Sequence, residues 1–191
     1  MNPVTEKRKS NRRIEDQNLI ERGRNMNKIH YSSKQDDWET PNKLFDWLRS
    51  IFPIDLDVCA DKDNAKTKRF ISAEQNALAL EWRTFTKTGC CFMNPPYGRN
   101  IGRWVHKARE QSQQGIVVVC LLPARPDTKW FQDICLPSGE ILFLKGRVKF
   151  KNGQYAAPFP SCIVVFGLLS IWETLMLKGK SKIKRANCFY M

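Results

Sequence analysis

The sequence holds no run of 18 apolar residues, so it offers no candidate for a membrane-spanning helix. It has only two histidines, His30 and His106, neither with ligand spacing around it, and no metal site is expected. Seven cysteines (Cys59, Cys90, Cys91, Cys120, Cys135, Cys162 and Cys188) include no Cys-x-x-Cys pair. Their odd number leaves a disulfide framework incomplete, and most sit in or beside apolar runs, so reduced buried thiols are expected. The first residues, MNPVTEKRKSNRR, lack the apolar stretch of a secretory signal. These absences lead to the expectation of a soluble protein of the cytoplasm. Disorder is excluded as the main description, because 42% of the chain is hydrophobic and 11% aromatic.

Acidic residues are the minority: 19 Asp and Glu stand against 32 Lys and Arg, a formal charge of +13 over 191 residues. The excess is concentrated at the ends, with +5 in residues 1–35 and +4 in residues 168–191. Two basic ends around a mildly basic middle suit a partner made of phosphates. Residues 1–36 have no sustained apolar period and read as a flexible tail, with at best a weak helix near 13–22. Met26 follows this polar stretch and is a second possible start of translation. Residues 168–191 read as a second basic tail.

Between the tails, residues 37–167 read as one domain. Thr40-Pro41 looks like a helix start, Thr as cap and Pro in the first turn, followed by Leu44, Phe45, Leu48 and Ile51 at helical spacing. Strands are expected at 54–58, 70–71, 89–93, 116–122, 140–144 and 162–166, and helices at 99–113 and 128–135. The run at 116–122 is continuously apolar, as in a strand covered on both faces. Asn152-Gly153 marks a turn. Alternating strands and helices give an α/β fold with a mostly parallel sheet. The last two strands have no room for a helix between them and should pair antiparallel. Ligands of such sheets bind at the carboxyl ends of the strands, and two of those ends are unusual: Asp57-Val-Cys-Ala60 and Asn94-Pro-Pro-Tyr97.

The second carries readable chemistry. Two prolines stiffen the turn and withhold two amide donors. The carbonyl of Pro95 and the side-chain oxygen of Asn94 are adjacent acceptors, and Tyr97 offers a flat face at the rim. Together they suit a planar group bearing an NH2. The exocyclic amine of a nucleobase is a poor nucleophile, because its lone pair is delocalised into the ring. Acceptors on its two hydrogens favour a pyramidal nitrogen whose lone pair can meet an electrophile. No covalent enzyme intermediate is needed.

Asn94-Pro95-Pro96-Tyr97 resembles the catalytic motif of amino-methyltransferases that use S-adenosylmethionine. More closely, the chain resembles the phage-type DNA N6-adenine methyltransferase (Dam-like) family. The matching stretches are Asp37-Trp-Glu-Thr-Pro41, Asp55-Leu-Asp-Val-Cys-Ala60, Asn64-Ala65, Phe92-Met-Asn-Pro-Pro-Tyr-Gly98, Leu121-Leu-Pro-Ala-Arg125, Asp127-Thr-Lys-Trp-Phe131 and Ala157-Pro-Phe-Pro-Ser161. They cover about residues 36–167 in the family's order. The resemblance implies a Rossmann-like methyltransferase sheet and S-adenosylmethionine as cofactor. It implies that Thr40 and Pro41 help hold the methionine part, and that Asp57, Cys59 and Ala60 form the loop under the cofactor. Asn76 stands where relatives contact the cofactor's adenine, often through an acid. Asn94, Pro95 and Pro96 with Tyr97 form the catalytic element, Tyr97 stacking on the base. The chain departs from larger methyltransferases in lacking Gly-x-Gly in the cofactor loop, and Asp61 and Asp63 are the candidates for the ribose hydroxyls.

Adenine N6 lies inside the duplex, so the target base must be flipped out or presented single-stranded. Phosphate contacts are expected from Arg99, Arg103, Arg125, Lys129, Arg147 and Lys149, with Gly146–Ala157 as a loop able to influence sequence preference. The function implied is site-specific adenine-N6 methylation of DNA in a bacterial host's cytoplasm, marking phage or prophage DNA as in restriction-modification. Two other readings remain. One is the same chemistry on cytosine N4, RNA or a protein amide. The other is a catalytically silent DNA-binding protein, motivated by Asn76 and the absence of a clear acidic ribose partner.

Overall fold

The computed structural model describes residues 38–150 and 156–167. The two tails, the weak helix near 13–22 and the Asn152-Gly153 turn lie outside the described residues. Helix α1 covers Asn42–Arg49 and buries Phe45 and Leu48. Strand β1 is Leu56–Asp57, β2 Arg69–Phe70 and β3 Cys90–Met93. Helix α2 spans Ile101–Gln113, β4 Val117–Pro123, β5 Glu140–Phe143 and β6 Ser161–Phe166. Before β5 a helical stretch, α3, includes a π-helical turn at Phe131–Cys135 and ends with Leu136–Ser138. Strand β1 is shorter than the predicted 54–58, and β2 has the predicted two residues but begins one earlier, at Arg69. Their backbone pairing nonetheless extends past the strand ends, with Asp55 and Val58 donating to Cys90 and Phe92 and Ile71 to Asp57.

One six-stranded sheet has the order β2-β1-β3-β4-β6-β5. The pairs β1–β2, β1–β3 and β3–β4 are parallel, while β6 pairs antiparallel with both β4 and β5. Strand β5 therefore runs in the same direction as β1 to β4, and only β6 is reversed. The expected α/β class and antiparallel C-terminal pair are present. The strand pattern did not foretell that β6 inserts between β4 and β5, leaving β5 at the edge.

The central strands show why they are central. All four residues of β3 and all six of β6 are buried, and in β4 only Val117 is partly exposed. β-Branched runs such as Val117-Val-Val119 and Ile163-Val-Val165 fit a sheet covered on both faces. Helix α2 covers it with Ile101, Val105 and Ala108, spaced at i, i+4 and i+7. The described cysteines are free thiols, all buried except the half-buried Cys59. Among the described residues no helix is long and apolar enough to cross a membrane, and no group of three metal-ligating side chains occurs.

The chain direction places the ends of β1 to β5 and the start of β6 along one edge of the sheet. Asn94 follows β3, Arg125 follows β4, and Ser161 begins β6 opposite Pro123.

Candidate active site

A cavity of about 380 Å³ opens at this edge, within the ordinary range of small-molecule sites. Its walls come from the segment before α1 (Trp38, Glu39, Thr40), the loop after β1 (Asp57 to Asp61), the loop after β2 (Ile71 to Ala73, then Asn76) and the turn after β3 (Asn94 to Pro96). Val58, Ala60, Ile71, Ala77 and Phe92 supply apolar surface, and Trp104 of α2 adds an aromatic wall.

The predicted residues fall as follows. Thr40, Asp57, Cys59, Ala60, Asn76, Asn94, Pro95 and Pro96 all line the cavity; Pro41 and Tyr97 do not. Asn94 is the most informative. Its amide Nδ2 donates to the Trp38 carbonyl and, at 3.0 Å, to Thr40 Oγ1. Two acceptors thus fix which way the amide faces. Its Oδ1 is shielded from water and has no partner among the described residues. The neighbouring Pro95 carbonyl accepts no backbone hydrogen bond among the described residues.

Two expectations are corrected. Thr40 does not cap α1: the helix begins after Pro41, without a side-chain cap. The Pro41 carbonyl accepts from Leu44 and Phe45, while the Thr40 hydroxyl is taken by Asn94. A contact 54 residues away in sequence outcompetes the local one. Tyr97 is not a flat face at the rim either. It is 8% exposed, its hydroxyl donates to the Leu121 carbonyl at 3.0 Å, and its ring meets Phe150 and Phe159 edge-on. The segments flanking β5 and β6 carry these two phenylalanines over the end of β4 and close the space.

Asp57 also differs from a simple ligand. Its two oxygens accept from the amides of Cys59 at 3.3 Å and Lys66 at 3.1 Å, so it ties the loop that floors the cavity. Burial outweighs these bonds and raises its pKa to about 6. The tie brings in residues that sequence reasoning missed. Lys66, which lines the cavity, reaches Glu39 Oε1 at 3.2 Å and Asn42 Oδ1 at 3.1 Å. Glu39 and Trp38 sit in the Asp37-Trp-Glu-Thr-Pro41 stretch, which flagged them only as neighbours of Thr40. Trp104 falls inside the helix predicted at 99–113 with no signal of a place in the site, and nothing local marks Lys66. Of the ribose candidates, Asp61 lines the cavity and Asp63 does not.

Arg99, Arg103, Arg125, Lys129, Arg147 and Lys149 are all exposed. They belong to segments after β3, β4 and β5, on the edge that carries the cavity. None takes part in the ion pairs of the described residues.

The chain is similar to a DNA N-6-adenine-methyltransferase of Haemophilus phage HP1, 35% identical over 126 residues that cover 64% of this chain and 70% of the relative. It is also similar to a DNA N-6-adenine-methyltransferase of Escherichia phage T1, 32% identical over 58% of this chain and 45% of the relative. A putative methyltransferase, YfdM, of Escherichia coli K12 is 43% identical over 65 residues, 32% of this chain and 71% of the relative. The sequence pattern of one family, described as DNA N-6-adenine-methyltransferase (Dam), matches residues 28–178, well beyond the catalytic element at both ends. On that extent of match, the chain belongs to the DNA N-6-adenine-methyltransferase (Dam) family.

Proposed function

We propose that this chain transfers a methyl group from S-adenosylmethionine to N6 of adenine in DNA, in the modification of phage or prophage DNA. The observation that supports it most is Asn94: a fixed amide whose buried oxygen lacks a partner among the described residues. A buried acceptor without a partner costs about 1–3 kcal/mol. Two protein acceptors hold the NH2 side, so the oxygen is the half left for a ligand. A target amine donates one hydrogen to Asn94 Oδ1 and the other to the Pro95 carbonyl. Those acceptors stabilise the positive charge that develops on nitrogen as the new bond forms.

The cavity suits the cofactor. Its apolar walls and Trp104 fit a purine, and Asn76 and Asp61 are exposed polar groups that line it. Glu39 and Lys66 offer an acid and a base for the two charges of an amino acid. S-adenosylmethionine supplies a methyl group on a positively charged sulfur. Thr40 contributes through Asn94, whose amide it holds. Tyr97 acts as an anchor: its hydroxyl ties the Asn-Pro-Pro turn to β4. Residues 37–167 would form the catalytic domain, and Arg99, Arg103, Arg125, Lys129, Arg147 and Lys149 the phosphate contacts, with the basic ends adding nonspecific affinity.

The test is transfer of a labelled methyl group to unmethylated DNA, followed by digestion to nucleosides. N6-methyladenine is expected, formed about 100- to 1,000-fold more slowly with Asn94→Ala at the same enzyme concentration. Label in N4-methylcytosine instead, or full activity of the variant, overturns the reading.

A further inference from the structure

Three buried side-chain polar atoms among the described residues have no partner: Asn94 Oδ1, Trp38 Nε1 and Ser161 Oγ. The first is an acceptor, and the second can only donate. Both residues line the same cavity, and they are joined, since the amide of Asn94 donates to the Trp38 carbonyl. An unpartnered acceptor and an unpartnered donor therefore belong to two residues that line one cavity and are joined through a backbone carbonyl.

The side of the cavity matters. Besides residues 39–41 before α1, the residues read as holding the cofactor lie in the loops after β1 and β2, on one side of β3. The Trp38 ring lies toward the other side. It packs against Phe150 at 5.2 Å and Phe159 at 5.3 Å, which flank β5 and β6. Its indole thus belongs with the half of the site that faces the base.

We propose that the Trp38 indole N–H donates to the ring nitrogen next to the target amine, adenine N1, while Asn94 Oδ1 accepts from that amine. This rests on the reading of the site as an adenine methyltransferase and adds a specificity residue to it. The pair reads an amine beside an unprotonated ring nitrogen. Guanine and thymine present the opposite pattern on that edge, a carbonyl beside an N–H, and would set donor against donor at Trp38. Cytosine carries the same pattern as adenine, so this contact separates amino from keto bases and leaves ring size to the cavity.

The test uses a short duplex containing a sequence that the wild-type protein methylates, with the target as adenine, 1-deazaadenine or 7-deazaadenine. The first analogue replaces N1 with C–H; the second keeps N1 and removes N7. For the wild-type protein, 1-deazaadenine should lower kcat/KM about 10- to 100-fold, because it leaves a buried donor unpaired. The reduction with 7-deazaadenine should be several-fold smaller. Trp38→Phe keeps a ring against Phe150 and Phe159. It should lower transfer to adenine by a similar factor and shrink the 1-deazaadenine penalty at least tenfold. S-adenosylmethionine binding by calorimetry should be unchanged in this variant. An equal 1-deazaadenine penalty in both proteins overturns the proposal, as does no penalty in the wild type, a result that needs no variant. Loss of cofactor binding in Trp38→Phe also overturns it and assigns the indole to the cofactor. Cofactor binding without any transfer to adenine by the wild type is the separate failure of the underlying reading.

Discussion

The two edges of the sheet treat buried polar groups in opposite ways. At the edge where the strands begin, the polar groups find partners. Asp55 accepts from the hydroxyls of Thr86 and Thr88 and from the Lys87 amide, and it pairs with Arg69. Burial is the largest single influence and raises its pKa, but these bonds together outweigh it and hold the pKa below the usual carboxylate value. Gln111, fully buried at the far end of α2, accepts from the Trp82 amide at 2.7 Å and donates to Glu81 at 3.1 Å. At the other edge stand Asn94 Oδ1, Trp38 Nε1 and Ser161 Oγ, without partners among the described residues, and Asp57 with a pKa raised to about 6. Two carboxylates two residues apart in one stretch of chain are thus shifted in opposite directions. Folding alone favours the first arrangement, because an unpaired buried group is costly. Retaining the second at one edge only is what a ligand site requires.

The largest effect should come from breaking the unsatisfied edge where it does chemistry. Asn94→Ala should lower kcat about 100- to 1,000-fold, the usual cost of removing one preorganised charge-stabilising group. It also strands the Trp38 carbonyl and the buried Thr40 hydroxyl, so some stability is lost with it and the effect is read as kcat per folded molecule. Gln111→Ala should affect stability alone. It strands the buried Trp82 amide and should cost about 1–3 kcal/mol of stability by urea unfolding, with kcat per folded molecule unchanged. If Gln111→Ala abolished transfer at full stability, the division between the edges would fail.

Asp57 sharpens the contrast through pH. Its folded-state pKa of about 6 lies above the ordinary aspartate value of 3.8, so between about pH 4 and 6 the folded protein holds a proton that the unfolded chain has released. The sign follows: this residue's contribution worsens as pH rises through that window and is constant above it. Asp57→Asn removes the titration and retains one oxygen for a loop amide. The difference in urea midpoint between the two proteins should therefore vary from about pH 4 to 6 and be flat from about 6.5 to 8. Wild type should fare relatively better at the acid end. A difference independent of pH would place the Asp57 carboxyl near its ordinary value.

The same contrast explains what could be read in the sequence. Strands β3, β4 and β6 are legible because each is a continuous apolar run, and α2 because Ile101, Val105 and Ala108 keep helical spacing. Asn94 is legible because two prolines directly after a buried strand leave only a few chemical uses. The errors are all matters of distance along the chain. Thr40 has the composition of a helix cap, and only the fold shows Asn94 taking its hydroxyl. Tyr97 has the composition of an exposed stacking face, and only the fold brings Phe150 and Phe159 over it. Lys66 carries no local signal; it reaches the cavity because Asp57, nine residues earlier, binds its amide. The insertion of β6 between β4 and β5 depends on partners far apart in the chain, such as Leu122 and Cys162, which strand patterns do not encode.

The smallest predicted effect concerns the rim outside the cavity. Arg125 and Lys129 are exposed, lie just past the end of β4, and have no part in the ion pairs of the described residues. Neutralising either should leave stability and cofactor binding within error, because neither side chain is buried or paired. What should change is DNA affinity and its dependence on salt. Removing one phosphate contact lowers the slope of log K against log salt by about one. Arg125→Ala with Lys129→Ala should therefore flatten that slope by about two, measured by fluorescence anisotropy between about 50 and 200 mM salt. A pair of changes at the opposite edge, Arg83→Ala with Lys87→Ala, carries the same charge difference and is the control. An equal flattening there would mean that net charge alone sets DNA affinity. An effect confined to Arg125 and Lys129 would place the phosphates along the edge that also carries Asn94.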